Sequence, residues 1–181
     1  MRADWQVALA GTACTSVGIG LARFAFVPLF PALVEAGWVT GAEAGLLGAA
    51  ALAGYIAGAL LAQPLGRAIG TRPALGWGFA GVLASLAFSA APLGFAWLMI
   101  WRLVAGVAGG VLMSLAGPAV QRAVRPEWRG RAAGVVVAGV GAGISLGAAA
   151  LPGLLLGGPS AGWLGLAAIV AALWALAARH I

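Results

Sequence analysis

The sequence has no lysine, one cysteine, one histidine, one tyrosine and four acids, against ten arginines in 181 residues. Each shortage removes a class of chemistry. Cys14 is the sole cysteine, which excludes an internal disulfide and any cysteine-based metal site; it reads as a small apolar residue within a helix. His180 lies at the tail, no serine has a basic partner and no acids are paired. Nothing therefore assembles a nucleophile or a general acid and base, and the chain is not expected to be an enzyme. No residues are available to build a cofactor or metal site. A net charge of +6 would point to nucleic acid if the arginines formed a patch on a polar surface. With 63% of residues hydrophobic and a mean hydropathy of +1.06, almost no polar surface exists to carry such a patch, and no nucleic-acid partner is expected.

What the chain does have is long apolar runs. Crossing a hydrocarbon core takes about 20 apolar residues in a helix, because in lipid every backbone amide must bond within its own segment. Six stretches qualify, near 6–30, 42–62, 74–91, 95–120, 132–155 and 161–178. They predict an all-α, polytopic membrane protein, with one six-helix transmembrane domain over 1–181. The breaks carry turn chemistry, as in Ala91-Pro-Leu-Gly94 and Arg125-Pro-Glu-Trp-Arg-Gly130.

The arginines then fix an orientation. Counting alternate breaks on opposite sides puts Arg2, Arg67, Arg72, Arg122, Arg125, Arg129, Arg131 and Arg179 on one side; the other has only Glu35 and Glu43. Positive charge at span ends marks the cytoplasmic side, so both termini are expected inside. A missed or invented span would scramble this segregation. All eight tryptophans fall at or near span ends, where an amphipathic ring suits the headgroup level. Asp4 and the length of the first run argue against a cleaved leader. Thirty glycines read as close helix packing, notably Gly54-x-x-x-Gly58, Gly106 with Gly109 and Gly110, and Gly139-x-x-x-Gly143-x-x-x-Gly147.

Arg23 and Arg102 lie inside runs, both roughly 10 Å below the outer face at 1.5 Å per residue. A guanidinium costs about 2.5–3.5 kcal/mol at the bilayer centre, so such residues usually face a protein interior or a watery cavity. At 100° per residue, Thr12, Ser16 and Arg23 share a narrow stripe, while Arg102 shares a face with Gly106, Gly109 and Met113. That stripe resembles the wall of a cavity. The alternative is that each guanidinium satisfies carbonyls or snorkels outward.

The segment Gly18-Ile-Gly-Leu-Ala-Arg23-Phe-Ala-Phe-Val-Pro28-Leu-Phe-Pro31 closely resembles the first-helix signature of the YbfB/YjiJ-type branch of the major facilitator superfamily. Gly54-Tyr55-Ile-Ala-Gly58 is similar to its second helix, and Arg102-Leu-Val-Ala-Gly106 to the superfamily's fourth-helix motif. Arg125-Pro-Glu-Trp-Arg129-Gly-Arg131 is similar to its loop between helices four and five. Two departures stand out: Arg67 and Ala68 occupy the expected acid and base positions of the loop between spans two and three, and span five lacks the antiporter glycine-proline pair.

The resemblance implies a half-transporter of 3+3 inverted repeats, in which spans one and four line the path of a small-molecule substrate and rocking of two halves gives alternating access. It implies a multi-pass protein of the bacterial inner membrane. Arg23 would attract an anionic solute or hold a gate. Thr12, Ser16 and Tyr55 would supply hydrogen bonds, though Tyr55 reads equally as interhelical packing, and Arg102 would be a further candidate for the substrate site. The superfamily has twelve spans, so a second six-helix half is expected from missing sequence, a separate chain or a homodimer. The competing reading is a truncated or non-transporting membrane protein acting as a helical scaffold.

Overall fold

The computed structural model describes residues 2–180, with side chains from Asp4 onward. The expected place of the Arg2 side chain lies outside the described residues. Helices α1 (Arg2–Thr15) and α2 (Phe26–Glu35) are joined by a π-helical segment, Ser16–Phe24, into one continuous rod. Then follow α3 (Gly41–Ile69), α4 (Thr71–Ser89), α5 (Phe95–Ala123), α6 (Arg129–Leu154) and α7 (Gly158–Ala177). Short 3-10 turns at Pro126–Trp128 and Leu155–Gly157 precede α6 and α7.

Among the described residues, four stretches are long and apolar enough to cross a membrane: Asp4–Glu35, Gly41–Ile69, Phe95–Ala123 and Pro126–Ala177. The last contains both α6 and α7, on either side of the break at Leu155–Gly157. Helix α4 is not among them, because its first turn is spent on Thr71, Arg72 and Pro73. The chain turns where the sequence supplies residues that end helices. Gly70 alone separates α3 from α4 at φ +92°, and Gly94 opens α5 at φ +88°, conformations that a Cβ would strain. Thr40 and Glu43 form a capping box at the start of α3: the Glu43 N–H donates to the Thr40 hydroxyl at 3.3 Å and the Thr40 N–H to the Glu43 carboxylate at 2.8 Å. Glu43 thus completes the cap that Thr40 begins.

Helix α3 is built inside out relative to a helix in water. Apart from Leu47, it buries small residues, Ala44, Ala51, Gly54, Gly58 and Ala62, and it exposes Leu46, Leu52, Ile56, Leu60 and Leu61. Lipid gives no hydrophobic reason to bury large side chains, so small residues face protein, where they let backbones approach. Gly54 and Gly58 lie against the Leu103 and Val107 carbonyls of α5, and Gly106 and Gly110 lie against the Ala51 and Tyr55 carbonyls of α3. A Cβ at any of the four would collide with backbone. The first rod meets α6 in the same way: Gly139 lies against Thr12 and Thr15, Gly143 against Ser16, and Gly20 against Gly143. Helix α4 packs on α5 and α7. The core holds Val17, Leu21, Leu29 and Leu33 of the rod with Phe79, Leu112 and Trp163. Cys14 is part of it.

Candidate functional site

Arg102 on α5 is 1% exposed. Its guanidinium carbon lies 4.6 Å from the centre of the Phe26 ring on α2 and 5.9 Å from that of Trp163 on α7. These two rings stack with centroids 6.3 Å apart and 27° between their planes. Nε and Nη1 of Arg102 and Nε1 of Trp163 are buried without a hydrogen-bond partner among the described residues. Cation–π contact contributes about 0.5–2 kcal/mol but leaves those N–H groups unmet. Buried N–H groups left without acceptors make this arrangement costly as architecture alone.

Arg23 sits differently. It is half-buried in the π segment, its guanidinium carbon 5.6 Å from the Phe24 ring centre and 6.0 Å from that of Tyr55 on α3. Neither Arg23 nor Arg102 forms an ion pair among the described residues.

Thr12 and Ser16 do not share a surface with Arg23. The Thr12 hydroxyl reaches the Ala8 and Val135 carbonyls at 3.0 Å each, and the Ser16 hydroxyl donates to the Gly139 carbonyl at 2.7 Å. Both therefore tie the first rod to α6. They also line a cavity of about 420 Å³ between α1, α6 and α7. The stripe expected at 100° per residue assumes 3.6 residues per turn. Bonding to the fifth residue, as from Ala25 N–H to the Gly20 carbonyl at 3.1 Å, advances each residue by less. Arg23 is carried round to α3 while Thr12 and Ser16 keep to α6. Of the five residues predicted from sequence, the structure pairs Arg23 with Tyr55 and Thr12 with Ser16, and sets Arg102 apart with two rings that sequence reasoning missed.

Trp163 differs from the expected interfacial ring, being 1% exposed in the core. No local signal marks it, because its partners Phe26 and Arg102 come from distant helices. Thr15 was also missed; its hydroxyl donates to the Val136 carbonyl at 2.6 Å. So was Asp4, which clasps Arg125 across 121 residues. The Arg125 Nε lies 2.9 Å and its Nη2 2.8 Å from Asp4 Oδ2, and the Arg125 backbone N–H donates to Oδ1 at 3.2 Å. The hydrogen bond to Asp4, and then its charge, raise the Arg125 guanidinium above its ordinary pKa. Trp5 and Trp128 meet edge to face at 6.3 Å beside this pair. Arg125 is thus more than a topological charge.

No match was found among curated proteins. The family described as "uncharacterised MFS-type transporter YbfB" matches residues 15–181, a span that includes the π segment, Tyr55 and Arg102. Together with the long apolar helices, this makes the protein a multi-pass membrane protein with a small-molecule substrate. The chain belongs to the YbfB family of transporters of the major facilitator type.

Proposed function

We propose that this chain is the N-terminal six-span half of a transporter that moves a small anionic solute by alternating access, with both termini cytoplasmic in a bacterial inner membrane. The observation that carries the anionic reading is Arg102: buried at 1% exposure, held over Phe26 and Trp163, with Nε and Nη1 unpartnered. A carboxylate or other oxyanion supplies the acceptors that those donors lack. Arg23 over Tyr55 is a second cation on the same rod as Phe26, and acts as an attracting or gating charge.

Two three-helix repeats are supported by matched packing. Gly54 and Gly58 of α3 press on α5 as Gly139 and Gly143 of α6 press on the first rod, the relation expected if the rod corresponds to α5 and α3 to α6. Glycine contacts at Gly18 and Gly109 join the two corresponding helices. A second six-helix half, from sequence outside this chain, a separate chain or a second copy, completes the path. The test is uptake of small mono- and dicarboxylates by proteoliposomes that hold the assembled transporter, this chain together with its second half. Arg102→Gln should abolish uptake and Arg179→Gln should leave it intact; uptake of neutral solutes alone, or full uptake by Arg102→Gln, contradicts the reading.

A further inference from the structure

The end of the molecule remote from Arg102 carries a second cationic feature. A cavity of about 200 Å³ between α1, α4 and α5 has Arg72, Arg122, Thr71 and His180 on its wall and Cys14, Leu75 and Ala116 among its apolar lining. Arg72 spends one N–H on the Ala178 carbonyl at 3.4 Å, and no acid pairs with Arg72 or Arg122 among the described residues. This cavity adjoins the 420 Å³ one between α1, α6 and α7, since Ala10 and His180 border both. The second space is mostly apolar, with Leu9, Ala13, Leu146, Leu173 and Leu176 along it; Gln6 also borders it, as do Thr12 and Ser16, whose hydroxyls are already bonded to α6 carbonyls. A cationic chamber thus opens beside a larger, mostly apolar space, with His180 bordering both.

We propose that this pair of cavities holds one anionic phospholipid, its phosphate between Arg72, Arg122 and His180 and an acyl chain along the Leu9–Leu173–Leu176 groove. The charge is complementary, and the shape is that of an amphiphile: a free phosphate would fill the first chamber and leave the groove unused. Arginines give a phosphate oxygen bidentate donors, and basic pockets between transmembrane helices are suited to lipid headgroups. On the proposed topology the lipid comes from the cytoplasmic leaflet. The site rests on the chain's place in a membrane and not on transport, so it is tested by lipid retention and not by uptake.

The experiment is native mass spectrometry of the full chain purified from bilayers of equal phosphatidylglycerol and phosphatidylcholine. Wild type should retain phosphatidylglycerol at least tenfold over phosphatidylcholine. The double variant Arg72→Gln/Arg122→Gln should lose that preference, while Arg179→Gln, outside both cavities, keeps it. Leu176→Glu changes an exposed residue of the groove wall in the last turn of α7, and in protein whose melting temperature matches wild type it should cut retention at least fivefold with both arginines in place. Equal retention of the two lipids by wild type overturns the proposal, as does unchanged retention in Leu176→Glu. Complete displacement of phosphatidylglycerol by millimolar inorganic phosphate also overturns it, since the site would then belong to a free anion.

Discussion

Gly18 and Gly109 meet backbone to backbone where the first rod crosses α5: a Cβ on Gly18 would stand 2.9 Å from the Gly109 carbonyl oxygen, and one on Gly109 would collide with the Gly18 carbonyl. Backbone cannot yield as a flexible side chain does. Gly109→Val is expected to lower stability by about 1–3 kcal/mol, the usual cost of overpacking. Gly117→Ala on the same helix meets nothing within 4 Å and should be neutral or mildly stabilising. Thermal unfolding in detergent, monitored by fluorescence, distinguishes the two.

The clasp between Asp4 and Arg125 links the start of α1 to the turn before α6. Asp4→Ala leaves the Arg125 backbone N–H and guanidinium without these acceptors, and should increase protease cleavage between α5 and α6. Asp4→Asn keeps one acceptor and should fall between Asp4→Ala and wild type. Glu127→Gln, on the same turn, should match wild type.

At the start of α3, Thr40→Ala removes the hydroxyl that caps Glu43 and should cost about 1 kcal/mol. Hydrogen exchange should quicken in the first turn of α3 and remain unchanged beyond Ala51. The Thr40→Ser variant, which keeps the oxygen, should restore protection.

The first-helix motif and the arginine-glycine run of the fourth span were enough to place the family, because those residues are contiguous in sequence. The glycine pairs of α3, α5 and α6 were legible as packing, since their four-residue spacing survives in a regular α-helix. The residue pattern misleads where the helix stops being regular. The π segment rotates Arg23 away from Thr12 and Ser16, and its Gly18 and Gly20 lie against α5 and α6, contacts between distant parts of the chain. The difference in burial between the two intramembrane arginines also had no local signature. Similar depth made Arg23 and Arg102 look equivalent, and the stripe favoured Arg23; the burial of Arg102 is set by Phe26 and Trp163 from other helices. The Asp4–Arg125 pair was invisible for the same reason.

On the proposed reading, Arg102 is kept for an anion rather than for the fold. Replacing it by methionine fills the space without the charge, and exchanging a poorly satisfied buried ion for an apolar residue of similar volume is commonly neutral or stabilising. The decisive measurement pairs the melting temperature of Arg102→Met with its uptake of the best carboxylate substrate in proteoliposomes. The expected result is a melting temperature equal to or above wild type with uptake lost. Uptake at the wild-type rate, or a collapse of the fold that Arg102→Lys reverses without restoring uptake, would contradict it.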